Sequence, residues 1–152
     1  MEDNGTPFGN KLQLYCERGF LLRISDSGVI SGTDDNSDPY SGTKANSVIQ
    51  IQLIISAHLE LSSGDEIGTV KIRGIHSGLY VCFGENGKPS AKENPGLPGT
   101  TFREDFYGHS YNSYESKDYP GWMLGINKAG QAKNGTKTEA GKKSTKFLPI
   151  RL

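Results

Sequence analysis

The segment GFLLRISDSG at residues 19–28 occurs twice more in altered form, as GLYVCFGENG at 78–87 and GWMLGINKAG at 121–130. In each of these cassettes two glycines stand nine residues apart, and the second, fourth and sixth positions are apolar: Phe20, Leu22, Ile24; Leu79, Val81, Phe83; Trp122, Leu124, Ile126. Such alternation is typical of a β-strand with one buried face. The closing Ser-Gly, Asn-Gly or Ala-Gly dipeptide favours a tight reversal, so each cassette predicts a hairpin.

Three hairpins in one chain predict pseudo-threefold symmetry. Four strands can be assigned around each cassette: residues 11–16, 19–24, 28–32 and one strand within 47–62; 68–74, 78–83, 88–91 and 100–106; 111–116, 121–126, 130–133 and 145–152. Twelve strands in three units predict an all-β fold, the β-trefoil, in which a closed six-stranded barrel is capped by three hairpins. We expect one trefoil domain over residues 11–152 and a flexible N-terminal segment over residues 1–10.

The region between the first two units is ambiguous. Residues 33–47 are polar and rich in turn formers, which predicts a long surface loop. The fourth strand has two candidates, SVIQIQLIIS at 47–56 and AHLELSS at 57–63, so one of them is an insertion. Residues 47–56 alternate well, and we expect them to pair as a strand with the barrel or with a neighbouring loop.

Composition and motifs exclude several classes of protein. The 152 residues include 20 glycines and are 34% hydrophobic, and no window approaches the ~20 apolar residues that span a bilayer. The N-terminal MEDNGTPFGN shows no signal peptide, so we expect a mature form or export without a cleaved signal. Nucleophile elbow, P-loop, dinucleotide and zinc-protease motifs are absent, so the sequence predicts no enzyme. Cys16 and Cys82 are predicted to be buried free thiols, with no metal-ligand spacing around them.

Charge is distributed unevenly although the net charge is zero. Residues 126–152 carry seven basic residues and one acidic residue, a net charge of +6, which leaves −6 for the rest of the chain. The lysines alternate with small residues over successive turns, which suits a sulfated polysaccharide because ammonium groups and backbone N–H donors can meet several oxyanions. Nucleic acid is not expected as a partner, since no aromatic residue precedes Phe147 in this stretch. A solvated lysine-rich tail is the alternative interpretation.

Several motifs in order resemble the fibroblast growth factor family: LYCERGFLLRISDSGVISG, SDP, GTVKIRGIHSGLY, FRE, YNSY, and the closing G-Q-x-K-x-G-x-K-T with FLP. The resemblance implies a β-trefoil ligand without enzymatic activity or cofactor. Its implied partners are heparan sulfate, as a co-ligand, and the immunoglobulin-like ectodomain of a receptor tyrosine kinase. The chain would then be an extracellular, mitogenic growth factor.

The resemblance also assigns two sets of residues. It implies heparin binding by Lys128, Gln131, Lys133, Lys137, Lys142, Lys143 and Ser144. It implies receptor binding by Tyr15, Glu104, Tyr111, Asn112, Leu148 and Ile150, an aromatic and aliphatic patch with polar anchors. For Leu148 and Ile150 the alternative is that they close the barrel.

The chain departs from the family pattern at a few positions. Ser110 stands where the family often has asparagine, Thr101 replaces a common cysteine, and the first heparin-loop turn is shortened to Glu17-Arg18-Gly19. Two rival functions remain: an intracellular branch of the family that binds ion-channel tails, and a trefoil lectin or cytokine of another lineage. Lectin trefoils repeat a Gln-x-Trp motif, whereas this chain has a single tryptophan, Trp122.

Overall fold

The predicted hairpins are present in a computed structural model of the chain, which describes residues 10–34, 44–107 and 110–152. The predicted flexible segment therefore lies outside the described residues, apart from Asn10. In chain order the elements are β1 Lys11–Cys16, β2 Phe20–Ile24, β3 Ile30–Asp34, α1 Lys44–Ile55, β4 Leu59–Ser63, β5 Thr69–Gly74, β6 Tyr80–Phe83, β7 Pro89–Lys92, β8 Phe102–Tyr107, β9 Tyr111–Ser116 and β10 Phe147–Arg151. Two 3₁₀ turns, Gly135–Lys137 and Lys143–Thr145, precede β10.

Six strands close into a barrel through antiparallel pairs. Strand β1 pairs with β10, β10 with β9, β9 with β8, β8 with β5, β5 with β4, and β4 returns to β1. This circuit leaves none of the six strands with an unpaired edge, which removes the aggregation hazard of open sheets. The β-trefoil prediction is confirmed.

The cassettes supply the barrel core. Their fourth and sixth positions are buried side chains: Leu22 and Ile24, Val81 and Phe83, Leu124 and Ile126. Leu14, Leu59, Ile72, Phe102, Tyr114 and Phe147 from the barrel strands complete the same cluster. Trp122 packs against this core and stacks on Tyr119, with ring centroids 4.6 Å apart. The period-two pattern thus places one apolar face per cassette inside.

The hairpins β2–β3 and β6–β7 are regular, but the third is not. Residues 121–133 form only isolated bridges, Glu115 with Met123, Ile126 with Ala132 and Ser31 with Gln131, so the described chain has ten strands rather than the twelve predicted. The backbone N–H of Met123 donates to the Thr138 hydroxyl at 2.8 Å, and that of Ile126 donates to the Ser144 carbonyl at 2.9 Å. The Ile126 bond has counterparts in the two regular hairpins, from the Ile24 N–H to the Ser56 carbonyl and from the Phe83 N–H to the Gly99 carbonyl, so all three hairpins are attached to the barrel in the same way.

One hydrogen bond joins each unit's hairpin to the next, and together the three form what we call the cap ring. The carbonyls of the second cassette glycines accept them: Gly28 from the N–H of Ala91 at 2.9 Å, Gly87 from Gly135 at 2.7 Å, and Gly130 from Gly32 at 2.7 Å. All six cassette glycines have positive φ, between 75° and 102°. The repeated glycines are therefore explained by backbone conformation.

The segment between β3 and β4 is a helical insertion. Strand β4 confirms 57–63 as the location of the fourth strand, and the strand predicted at 47–56 is wrong because α1 covers most of it. With β4 already between β1 and β5, the barrel offers no place for another strand. The predicted loop at 33–47 is also too long, since β3 ends at Asp34 and α1 begins at Lys44; residues 35–43 lie outside the described residues.

Helix α1 is attached to the barrel at its C-terminal end. Arg23 Nε donates to Ser56 Oγ at 2.8 Å, and the Ile24 N–H donates to the Ser56 carbonyl at 3.0 Å. Within the described ranges no helix is long and apolar enough to cross a membrane. Cys16 and Cys82 are buried and free, as predicted, and burial raises the pKa of both thiols.

Candidate functional site

Part of the predicted heparin set lines one depression, which we call the basic depression. Its lining joins the β1–β2 turn to Lys133, the two 3₁₀ turns and the residues between those turns: Arg18, Lys133, Thr136, Lys137, Thr138, Glu139, Lys142 and Ser144. The residues come from segments more than a hundred positions apart, which the barrel brings together because β1 and β10 are paired.

The first 3₁₀ turn is fixed by the Asn134 side chain. Asn134 Oδ1 accepts from the Thr136 N–H at 2.9 Å and from the Thr136 hydroxyl at 2.7 Å, while Nδ2 donates to the Asn86 carbonyl at 3.2 Å. Gly135 is buried, and a Cβ added there would lie 2.7 Å from Trp122 Cβ. The turn is thus held from both sides, and Lys137 at its end is exposed to solvent.

The second 3₁₀ turn orients the remaining lysines. The Thr145 hydroxyl lies 3.0 Å from the Lys142 carbonyl and 3.1 Å from the Glu139 carbonyl, both of which can accept its hydrogen bond. Lys142 and Lys143 are exposed to solvent. Ser144 is buried, although it is part of the lining of the depression. Glu139 Oε2 lies 3.7 Å from Lys142 Nζ, but both side chains are mostly exposed, so this ion pair is weak.

Arg18 is a basic residue that the sequence analysis did not assign to the site. It lies on the β1–β2 turn and lines the basic depression. Its Nε is buried and has no hydrogen-bond partner among the residues that the structure describes. A buried guanidinium N–H without an acceptor is costly, and an anion in the depression would satisfy it. The only signal in the sequence was the shortened turn Glu17-Arg18-Gly19.

The rest of the predicted heparin set is more dispersed. Lys128 is exposed on the tight turn of the third cassette, and Lys143 is exposed on the second 3₁₀ turn; neither lines the basic depression. Gln131 lines a different depression, together with Lys88. The heparin set therefore divides into a compact group, which is Lys133, Lys137, Lys142 and Ser144, and three outlying residues.

The predicted receptor residues lie on four adjacent strands, β1, β10, β9 and β8. Tyr15 faces Leu148 across the β1–β10 pair, and Ile150 follows two positions later on the same strand. Leu148 is half-buried and Ile150 is 39% exposed, so neither fills the barrel. Phe147 occupies the interior in their place, because alternate residues of β10 face opposite sides.

Glu104 on β8 accepts hydrogen bonds from two neighbouring side chains. Its Oε2 accepts from the Tyr114 hydroxyl at 2.8 Å and from Asn112 Nδ2 at 3.5 Å. Burial and the neighbouring Glu104 carboxylate raise the pKa of Tyr114 far above its ordinary value. Asn112 is itself buried, so its role here is to hold Glu104 rather than to present its own amide. Tyr111 is half-buried on the same strand.

Phe106 is an exposed aromatic residue beside Glu104 that the sequence analysis missed. Its side chain is 77% exposed, two positions after Glu104 on β8. A groove runs beside it, lined by Leu12, Leu61, Val70, Glu104, Asn112 and Pro149 among others. An exposed aromatic residue next to an apolar groove is typical of a protein-binding surface. The segment FREDF could have indicated this, because Glu104 and Phe106 are two positions apart on one strand and therefore lie on the same face of it.

Among the described residues, neither surface groups the side chains that a metal ion needs. Within residues 10–34, 44–107 and 110–152 no three His, Cys, Asp or Glu side chains are grouped so that they could hold a metal ion. Both surfaces instead have the features of binding sites, one cationic and one apolar.

Comparison with known proteins connects this architecture to one family. The profile of the family described as "Fibroblast growth factor" matches residues 54–148. Fibroblast growth factor 1 of Notophthalmus viridescens is 33% identical over 140 residues, which cover 90% of this chain and 92% of that protein. Fibroblast growth factor 2 of Xenopus laevis is 32% identical over 156 residues, covering 98% of this chain and 89% of that one. Human fibroblast growth factor 2 is 31% identical over 144 residues, 94% of this chain and 44% of that protein. With this trefoil, these motifs and these relatives, the chain belongs to the fibroblast growth factor family.

Proposed function

We propose that this chain is a secreted growth factor that binds heparan sulfate through the basic depression and activates a receptor tyrosine kinase of the fibroblast growth factor type. The observation that carries the proposal is the convergence of Arg18, Lys133, Lys137 and Lys142 on one depression. Family membership already supports a growth-factor function, and growth factors of this family are signalling ligands without enzymatic activity or cofactor.

The chemistry of the basic depression suits sulfate groups. Lysine ammonium groups act as compact point charges, while the Arg18 guanidinium can bind two oxyanion oxygens side by side. Glu139 is the one acidic residue in the lining, and it faces solvent beside Lys142. Among the residues that the structure describes, no aromatic side chain lines this depression, so its lining offers no stacking platform for single-stranded nucleic acid.

The predicted receptor residues on β1, β8, β9 and β10 suit a protein partner. Tyr15, Leu148 and Ile150 supply apolar area, Glu104 supplies a carboxylate already oriented by Tyr114, and Phe106 adds an exposed ring. Aromatic anchors around a fixed polar group are the usual composition of an interaction hot spot. We therefore propose Tyr15, Glu104, Tyr111, Leu148 and Ile150 as receptor contacts, with Asn112 as the support of Glu104.

Heparin chromatography tests the first half of the proposal. The double variant Lys133→Ala with Lys142→Ala should elute from heparin at lower salt than the wild type and should keep its melting temperature, because both side chains reach solvent. The charge-matched control is Lys11→Ala with Lys92→Ala, which removes two lysines outside the depression. Equal elution of the two double variants would show that only net charge matters and would remove the site.

Receptor capture tests the second half. Wild type added to receptor-expressing cells should raise receptor phosphorylation, whereas an intracellular, channel-binding protein would have no effect from outside. Leu148→Ala should weaken capture by the soluble receptor ectodomain without unfolding the domain. Capture that is unchanged by Leu148→Ala and by Tyr111→Ala would place the receptor elsewhere on the molecule.

A further inference from the structure

A second depression lies on the hairpin cap and takes its lining from all three units. Residues 27–31 come from the first hairpin, residues 88–90 from the second, and Gln131 with Ala132 from the third. Its mouth is formed by the residues that directly follow the second cassette glycine in each unit, Val29, Lys88 and Gln131. Because equivalent residues of three repeats surround it, we call it the axial depression.

The described lining of the axial depression offers hydrogen-bond donors and no carboxylate. Lys88 is exposed, and its Nζ makes no hydrogen bond or ion pair with any residue that the structure describes. Gln131 uses Oε1 to accept from Asn127 Nδ2 at 3.3 Å, which leaves its own amide N–H groups available. The Ser90 hydroxyl is a third donor in the same lining. An ammonium, an amide and a hydroxyl around one hollow select an anionic group.

The floor below these donors is apolar. Ile30, Pro89 and Ala132 are the next equivalent positions of the three units, and all three line the depression. A hollow with an apolar floor and a few polar groups at its rim is the usual composition of a ligand site. The C–H face of a sugar ring fits such a floor, and a sulfate on that ring would reach Lys88.

The fold itself does not require lysine at position 88. The equivalent positions in the other two units are Val29 and Gln131, and all three hairpins make the same turn. In each, the carbonyl of the residue after the glycine accepts a hydrogen bond at 2.9–3.0 Å from the N–H four positions earlier: Val29 from Ser25, Lys88 from Gly84, and Gln131 from Asn127. The side chain that follows the glycine is therefore free to vary. The turn itself therefore does not select a lysine in the second unit.

The axial depression and the basic depression take lining residues from the same short segment of the third unit. Gln131 lines the former and Lys133, two residues later, lines the latter. The β6–β7 turn that carries Lys88 is docked on the same segment, since the Gly135 N–H donates to Gly87 at 2.7 Å and Asn134 Nδ2 donates to Asn86 at 3.2 Å. Lys88 is thus fixed beside the basic segment although 45 positions separate it from Lys133.

We propose that the axial depression is a second sulfate subsite, in which Lys88, Gln131 and Ser90 hold one sulfated sugar of a chain that also occupies the basic depression. This inference rests on the proposed heparan sulfate binding and extends it to a longer footprint. It also gives a role to Gln131, which the basic depression does not use.

The test measures heparin oligosaccharide affinity over a range of salt concentrations for wild type, Lys88→Ala, Lys88→Arg and the control Lys92→Ala. Lys92 is an exposed lysine at the end of the same strand pair and lines neither depression. With a dodecasaccharide, Lys88→Ala should lower the slope of log Kd against log salt by about one, as expected for one lost ionic contact. Lys88→Arg should restore the slope, and Lys92→Ala should leave it unchanged. With a tetrasaccharide, which is too short to fill both depressions, Lys88→Ala should match the wild type.

Three results would overturn the inference, and they differ in whether the proposed binding of heparan sulfate in the basic depression survives. If Lys88→Ala and Lys92→Ala behave alike with the dodecasaccharide, the axial subsite is wrong while binding in the basic depression stands. If Lys88→Ala weakens tetrasaccharide binding as much as dodecasaccharide binding, the two depressions are not bridged. If the wild type binds no heparin oligosaccharide, both the subsite and the proposed function fail.

Discussion

Replacing Gly87 by alanine should damage both the fold and the basic depression, and Gly78 provides a control within the same cassette. Both glycines have positive φ, 83° for Gly87 and 75° for Gly78, so an alanine at either position strains the backbone. A Cβ at Gly78 would meet nothing within 4 Å. A Cβ at Gly87 would instead overlap Asn134 Oδ1 and lie 2.9 Å from Thr136 Cγ2. The difference between the two variants therefore isolates the contact with the 3₁₀ turn.

The magnitudes follow from these contacts. Left-handed strain costs about 1–2 kcal/mol, partly offset by the lower entropy of the unfolded alanine chain, so Gly78→Ala should lose about 1 kcal/mol. Gly87→Ala adds the loss of the Asn134 cap, about 1 kcal/mol, and weakening of the Gly135-to-Gly87 hydrogen bond, about 1 kcal/mol. We expect a total of about 3 kcal/mol, which corresponds to a melting temperature lower by about 6–12 °C for a domain of this size.

Urea unfolding followed by the fluorescence of Trp122 measures these losses, because this single tryptophan is half-buried and stacked on Tyr119. Below its melting temperature, Gly87→Ala should also elute from heparin at lower salt, since the displaced turn carries Lys137. Gly78→Ala should elute like the wild type. Equal stability losses in the two variants would refute the argument that the Asn134 turn is packed against Gly87.

Three further predictions follow from buried and exposed groups. Tyr114→Phe should lower the free energy of unfolding in urea by about 1–2 kcal/mol, because it removes the hydrogen bond that the buried Tyr114 hydroxyl donates to Glu104. The pKa of Tyr114 is raised in the folded state, so above about pH 10 only the unfolded chain loses this proton and the stability of the wild type should fall as the pH rises. The stability of Tyr114→Phe should fall less steeply over the same range. Parallel plots of stability against pH for the two proteins would contradict this. Phe106→Ser should weaken receptor capture while changing unfolding free energy by less than about 0.5 kcal/mol, whereas Val29→Ser, another exposed apolar position, should leave capture intact. Cys16 and Cys82 should react with a thiol reagent only after unfolding, since burial both raises their pKa and blocks access; rapid labelling of the native protein would show that one of them is exposed.

The barrel was predictable because its determinants are local. The alternation of Leu22 and Ile24, repeated as Val81 with Phe83 and Leu124 with Ile126, encodes both the strand and its buried face, and the paired glycines encode the turns. The insertion was not predictable by the same rule. Residues 47–56 alternate like a strand, but β4 already occupies the only position between β1 and β5, which is a tertiary constraint.

The candidate site was predictable where it is contiguous in sequence. Lys133, Lys137 and Lys142 stand within one segment, whereas Arg18 joins them only because β1 and β10 are neighbours. On the proposed receptor surface, the family resemblance placed Asn112 among the contacts. Its burial follows from packing in the barrel wall, which no motif records.

The cap ring bears on how the chain could be rearranged. Each hydrogen bond runs from one unit to the next and the third returns to the first, so the three repeats form a cycle without a preferred starting point. The Leu152 N–H donates to the Lys11 carbonyl at 3.1 Å, which places these two residues side by side. A circular permutant that links them and opens the chain at the solvent-exposed Ile67 would keep every contact of the cycle. Native folding of that permutant would mean that order along the chain matters less to this trefoil than closure in space.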